Sequence, residues 1–262
     1  MKIYQVDAFT SEKYSWNPAW VTIVEKFPSN EEMQEIASEM NLSETAFVKH
    51  ISDDNYEIKF FTPEEEIDLC GHATLSTAHI LFENNLIGSD SVNFKANLEN
   101  IAVKNIDDSY ILDFPLWGYE QIDDIEKCES IMWIKNVLEV YNTSIKWKVV
   151  FLSSKEELIN INPNFGAMKG SDYWNVVVTC AWDDQFDYYM RCFVTDCWIN
   201  EDPVTWSIEC FLAPLWAKKL NKNKMRNYQC SLRGWEKTVE LVNNRVKISG
   251  EAITIFEINV IK

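Results

Sequence analysis

Glycine is scarce in this chain: seven residues in 262, well under half the share of about 7% usual in soluble proteins. Neither G-x-G-x-x-G nor a P-loop occurs, which removes the common backbone cradles for dinucleotides and nucleotide phosphates. Histidine is limited to His50, His72 and His79, too few for a histidine-rich metal site, and no metal is expected. The seven cysteines are odd in number and scattered, with no C-x-x-C pair. A disulfide framework or a zinc site is therefore not expected, and a reducing compartment fits. Only four arginines are present and the net charge is −17, so long-range repulsion opposes nucleic acid and anionic membrane surfaces. No apolar run reaches the length of a bilayer span, and "MKIYQVDAF" alternates like a strand rather than a secretory signal. The expectation is a cytoplasmic protein that binds neither nucleic acid nor membrane. A small anionic substrate stays open, because it needs only a local pocket of N–H donors.

What is present is an apolar fraction of 47% with 25% charged residues, and eleven tryptophans. Residues 2 to 9 read as a strand. "PSNEEMQEIASEMN" reads as a helix, with Met33, Ile36, Ala37 and Met40 on one face and Ser29 with Glu32 as a capping box. "ETAFVKHI" and "YEIKFF" read as strands, and "DLCGHATLSTAHILFENN" as a turn followed by an apolar helix over about 72–85. "SVNFKAN", "NIAVKNI" and "YILDFP" complete the first half as strands. Acidic "YEQIDDIEKCES" reads as the crossing to a second half. There "DPVTWS" leads into an apolar helix through Leu220, followed by "NYQCSLRG", "KTVELVNN" and "RVKISGEA" as strands.

The order turn, helix, strand, strand, strand thus occurs twice. Gly71 to Phe94 and Trp206 to Gln229 both span 23 residues. An internal duplication is the simplest cause; chance recurrence in an α+β chain is the competing one. Two similar lobes are expected, 1–118 and 119–262, with the last strand free to return to the first. Each core helix would offer unpaired amides and the positive end of its dipole, a seat for a carboxylate.

"MQEIASEMNLSETAFV", "FFTPEEEIDLCGHAT" and "NEDPVTWS", in that order, resemble the phenazine-biosynthesis PhzF-like isomerases, and the likeness runs from "QVDAF" at residue 5 to "VKISGEA". The resemblance implies a diaminopimelate epimerase-like α+β fold. Two similar lobes would each wrap a curved, mostly antiparallel sheet around a central helix, with the active site between them. It also implies homodimers and cofactor-free proton transfer on small carboxylic acids. The family's acid/base glutamate falls on Glu44, its histidine on His72, and its second-lobe aspartate and serine on Asp202 and Ser207. Substrate carboxylate binding falls on the amides around Gly71 to Ala73 and Trp206 to Ser207. The residues agree with these roles. Glu44 stands in the apolar run Thr45-Ala46-Phe47-Val48, where desolvation is expected to raise its pKa, against the plainer reading of a strand-edge glutamate facing water. His72 and Ser207 are placed in the first turns of the two core helices, where capping alone is the competing role. Asp202 is expected to orient His72 or a substrate hydroxyl, or else to be an acidic residue before a proline turn. Cys70 sits where diaminopimelate epimerase carries its first thiol, but Thr205 occupies the matching place in the second half and cannot supply a thiolate. A two-cysteine racemase is disfavoured, and Cys70 is expected to be a small buried filler.

The chain departs from the PhzF-like pattern where "GNPAAV", a glycine before "EDP", "TGSA" and "RGG" are expected. Trp16, Trp198, Trp206 and Trp235 stand at expected glycines, and Trp20 at an expected small residue. Tryptophan there would strain the turn or fill the pocket. Three explanations compete: indole walls that reshape the cleft for another substrate, loss of catalysis in a protein retained for binding with its pocket occluded by Trp206, or a UGA codon decoded as tryptophan in place of glycine. The third predicts UGA at codons 16, 198, 206 and 235. Sequencing the gene checks it, and UGG at all four would end it.

Overall fold

The computed structural model describes residues 1–260 apart from 11, 14–16, 98–99, 108, 182, 196–199 and 233. Trp16 and Trp198 lie outside the described residues. The chain divides into two compact units, Met1–Phe114 with the chain from Lys247 onward, and Pro115–Val246.

The first unit contains β1 (Lys2–Ala8), β2 (Asn17–Val24), α1 (Asn30–Met40), β3 (Glu44–Ser52), β4 (Asn55–Phe61), β5 (Glu66–Ile67), α2 (Gly71–Glu83), β6 (Ser91–Lys95), β7 (Asn100–Ile106) and β8 (Ser109–Pro115). In the second are β9 (Tyr119–Ile122), α3 (Ile125–Met132), β10 (Val137–Thr143), β11 (Lys148–Leu152), α4 (Lys155–Asn160), α5 (Phe165–Met168), β12 (Asn175–Ala181), β13 (Tyr188–Val194), β14 (Glu201–Asp202), α6 (Glu209–Leu220), β15 (Lys224–Gln229) and β16 (Trp235–Val242). The unit boundary falls inside β17 (Arg245–Gly250), and β18 (Ala252–Asn259) pairs antiparallel with β1.

The two units share one topology. In the first, β1–β2 is antiparallel, β2–β3 parallel, β3–β4 antiparallel, β4–β6 parallel and β6–β7 antiparallel, with two-residue β5 attached to β4. In the second, β10–β11, β11–β12, β12–β13, β13–β15 and β15–β16 repeat that series, with two-residue β14 attached to β13. A parallel pair needs a crossover. In both units the second crossover is the core helix, α2 or α6.

α2 is buried at every position from Gly71 to Ala78 and again at Ile80 and Leu81, as expected of a helix enclosed by sheet rather than lying on one. It packs against β1, β2, β3 and β18. Leu75, Ile80 and Leu81 are fully buried, each contributing about 1.5–3 kcal/mol relative to an exposed side chain. The outer sheet face is covered by α1: Ser29 caps it, accepting from the Glu32 amide at 3.1 Å, and Met33 and Ala37 pack on Phe47 and Phe61. In the second unit α6 packs against β15 and β16, while α3, α4 and α5 close a separate core over Val140, Val150, Val176, Val178 and Phe193. No helix among the described residues is long and apolar enough to cross a membrane.

Two sequence expectations shift. The stretch read as a crossing holds β9 and most of α3; both elements are short, which hid their periodicity. Ser207 is not in the first helical turn. α6 begins at Glu209, and the chain enters it through a tight turn in which the Glu209 and Cys210 amides donate to the Trp206 and Ser207 carbonyls.

Gly250 shows where glycine cannot be replaced. A Cβ there would come within 2.2 Å of Phe9 Cδ1, 2.8 Å of its Cε1 and 3.2 Å of Leu75 Cδ1, and Phe9 is fully buried. Gly250→Ala is expected to destabilise the protein by about 1–3 kcal/mol through overpacking, read as a lowered denaturation midpoint at unchanged m-value.

Candidate active site

Strand parity brings the candidate residues of the first unit together. Phe47 faces α1, so Glu44, Ala46 and Val48 project from the opposite face, toward α2. Glu44 is the first residue of β3 and pairs with Ala19, which puts its carboxylate at the rim of the sheet. His72 is the second residue of α2. Its Nε2 lies 2.7 Å from Glu44 Oε2, and the two side chains are only 10% and 16% exposed.

Two neighbours complete the group. Ser43 Oγ lies 3.4 Å from His72 Nε2, and Cys70 Sγ lies 3.4 Å from His72 Nδ1. Cys70 is buried as expected, but it is more than filler: it is the N-cap residue of α2 and contacts the ring of His72. Its side chain makes no capping hydrogen bond to the helix.

The electrostatics correct one expectation. Burial does act to raise the Glu44 pKa, but the His72 charge and hydrogen bonds from His72 and Ser43 outweigh it, and the carboxyl is held below its usual value. For His72, burial acts downward, yet the adjacent Glu44 carboxylate, with the Cys70 sulfur as hydrogen-bond partner of Nδ1, holds the imidazole above its usual range. Burial, reinforced by Glu44, pushes the Cys70 thiol up, so it stays protonated. The site is an imidazolium–carboxylate pair beside a neutral thiol. The apolar flanks of Glu44 suggested desolvation alone, because sequence reading did not place a cation within 3 Å.

Glu44, Cys70 and His72 bring donor atoms within 4.8 Å of one another, a spacing that would admit a metal ion. However, the nearest partner of Nε2 is Glu44 and that of Nδ1 is Cys70. Nε2 stands against Glu44 Oε2 as an ion pair and Nδ1 against the Cys70 sulfur, so the two ring nitrogens face different partners.

In the second unit, Asp202 and Thr205 form one tightly bonded turn. Asp202 Oδ1 accepts from the Val204 amide at 3.2 Å and Oδ2 from the Thr205 hydroxyl at 2.7 Å. Gln229 holds the turn from β15: its Nε2 donates to the Asp202 carbonyl at 2.7 Å and its Oε1 accepts from the Thr205 amide at 2.8 Å. Trp206 is buried, at 2% exposure, and Ser207 is half-buried. The backbone strain expected of tryptophan at glycine positions is not found at the described ones: Trp206 and Trp235 lie outside the positive-φ region, as does Trp20 at its expected small position, and Gly234 carries the left-handed φ of 62° beside Trp235. Trp20 instead donates from Nε1 to the Met40 carbonyl at the end of α1, at 3.1 Å. Sequence reading missed Ser43, whose polarity before a strand carries no distinctive signal, and Gln229, whose role depends on a pairing partner 24 residues away.

An enclosed helix crossing between parallel strands, used twice, with ionisable groups at the helix start, defines the epimerase-like α+β class. A hydroxyproline epimerase from Agrobacterium vitis shares this fold, with a TM-score of 0.63 at 14% identity over 99% of this chain and 90% of that one. Residues 6–258 match the family described as phenazine biosynthesis-like protein, and the chain belongs to that family. It is 37% identical to an uncharacterized isomerase from Halalkalibacterium halodurans, over 97% of this chain and 96% of that protein. A PhzF family protein from Enterococcus faecalis superposes with a TM-score of 0.89 at 38% identity, covering 98% and 97% of the two chains.

The pair ties stability to pH. A carboxyl held below its unfolded value of 4.5 contributes stability that is present above that value and lost as pH falls through the folded one. An imidazole held above 6.5 contributes stability that is complete below 6.5 and lost as pH rises through its folded pKa. Both contributions coincide between these unfolded values. The difference in Tm between the protein and a His72→Gln variant is therefore expected to be largest near pH 5.5 and to shrink toward both pH 3 and pH 9, measured by calorimetry.

Proposed function

We propose that the protein is a cofactor-independent isomerase that moves a proton between carbon atoms of a small carboxylic acid, with Glu44 as the acid/base group. The observation that carries this reading is the 2.7 Å contact between Glu44 and His72 at the start of α2. A carboxylate kept ionised is ready to accept a proton from carbon. The electron pair left behind delocalises into the substrate's own carboxyl or unsaturated system, and the protonated Glu44 then returns the proton to another carbon. His72 sets the charge state of Glu44. The amides of Gly71 to Ala73, at the positive end of α2, seat the substrate carboxylate. Asp202 and Ser207, with the backbone at Trp206, are assigned to positioning the substrate, on the strength of their match to the family motif. Since one group both removes and delivers the proton, the reaction calls for no electron carrier. The naming of the 37%-identical relative as an isomerase supports the class, and the A. vitis epimerase of this fold was solved with bound trans-4-hydroxy-L-proline, a small carboxylic acid. A homodimer in the cytoplasm remains part of this reading.

A second reading, a binding protein without catalysis, is favoured by the burial of Trp206 in a motif that elsewhere carries glycine.

Incubation in 2H2O with a panel of small hydroxy, amino and unsaturated carboxylic acids separates the two. Proton NMR is expected to show enzyme-dependent loss of a C–H signal from at least one acid, and Glu44→Gln is expected to slow it at least about a hundredfold. An unchanged rate in that variant would remove Glu44 from the role. Exchange that appears only after Trp206→Gly would favour the second reading.

A further inference from the structure

Beneath the second-unit motif lies a charge pair that the proposed chemistry does not use. Lys237 on β16 and Glu209 in the first turn of α6 are both fully buried, with Nζ 2.7 Å from Oε1. The other Glu209 oxygen accepts from the Tyr188 hydroxyl at 2.6 Å, and Asn227 donates to that hydroxyl at 2.9 Å. Tyr188 is in turn stacked on Trp216, with ring centroids 5.3 Å apart. Removing two ions from water costs several kcal/mol each, and an apolar pair of similar volume is often as stable or more so. Stability alone is therefore a poor reason for this arrangement.

Its geometry offers another. Lys237 Nζ also donates to the Thr205 carbonyl at 2.7 Å and lies 5.5 Å from the Trp206 ring centroid. Thr205 is the residue whose amide and hydroxyl are already bound by Gln229 and Asp202. With its carbonyl held as well, every polar group of Thr205 is fixed, and the chain leaves it in one direction into Trp206, Ser207 and the start of α6. We infer that Lys237 is a positioning residue: its buried ammonium, neutralised by Glu209, fixes the Thr205–Ser207 segment and braces the Trp206 indole. Glu209 makes the cation tolerable in the core, and Lys237 holds the turn. The inference rests on the proposed function only in giving that segment a role toward substrate.

Three variants test it without a substrate. Lys237→Met leaves Glu209 buried and unpaired by its lysine, and is expected to lower Tm by roughly 10 °C. Lys237→Met with Glu209→Gln removes both charges while leaving Tyr188 an acceptor, and is expected to recover most of that loss. In this double variant, amides 204–208 should still exchange at least about tenfold faster than in the unaltered protein, and the Thr205 carbonyl 13C resonance should stay shifted, because the donor to that carbonyl is gone. Glu209→Gln alone, which keeps the donor, should keep the amide protection and carbonyl resonance of the unaltered protein. If the double variant restores local protection and the carbonyl shift together with Tm, the pair is only part of the core and the inference fails. It fails equally if Glu209→Gln loses local protection as fully as the double variant does. Absence of C–H exchange activity would count against the proposed function but leave these readings unaffected.

Discussion

The candidate site depends on one contact, the approach of the Glu44 carboxylate to the His72 imidazole. Neither residue could reach it in another register. A one-residue slip of β3 would turn Glu44 toward α1 and bring Phe47 inward, and a quarter-turn of α2 would carry His72 away from the sheet rim. Both errors are opposed by burial. α2 is apolar on nearly every side and enclosed by four strands, while the Phe47–Phe61 edge contact, at 5.6 Å, fixes the other face of β3. The hydrophobic core thus does positional work for a polar pair that alone would contribute little, since desolvating two ions offsets much of their attraction.

The duplicated topology shows how one scaffold carries different chemistry. In each unit a two-residue strand, β5 or β14, leads into the crossover helix, and the residues around the start of that helix are polar or reactive. In the first unit these are Cys70, the N-cap, and His72, the second helical residue, which join Glu44 in an ionisable group. In the second, Thr205 holds the place of Cys70 and is bonded to Asp202 within the turn, while a buried charge pair, Lys237 and Glu209, lies behind it. On the proposed function, proton transfer and positioning fall to different copies of the same structural element. A hydroxyl cannot take up a proton near neutral pH, so the second copy is suited to holding a substrate rather than to reacting with it.

Much of this was legible in the sequence where periodicity is strong. The alternation in β6, β7 and β8, the enclosed helix after Gly71 and the two 23-residue spacings lead to the observed repeat. Motif likeness singles out Glu44 and His72, but only three-dimensional proximity reveals that they touch and that the carboxyl pKa falls rather than rises. Lys237 and Glu209 did leave a trace. Lys237 shares strand parity with buried Val239 in "WEKTVELV", and Glu209 interrupts the apolar run of "SIECFLAPLW". A charged residue in an apolar register is a signal of a buried partner, yet neither residue names the other, because 28 positions separate them and their meeting depends on how α6 lies against β16.

The shortage of glycine can be read in the same physical terms. Left-handed backbone is in demand throughout the chain, and among the described residues eight of the eleven non-glycine positions with positive φ are asparagine or aspartate, including the helix C-caps Asn41 and Asn221. These residues tolerate αL geometry because their short polar side chains hydrogen-bond locally, so turns and caps form with little glycine. Asparagine cannot substitute where the requirement is space, as at Gly250 against Phe9. Trp206 belongs to the second category of position. Its φ is not left-handed, so a glycine in its place would relieve no backbone strain. What such a glycine would change is volume, since the indole fills a buried space beside Lys237. The three explanations for the tryptophans therefore differ at this position in what occupies that space, and not in the path of the chain around it.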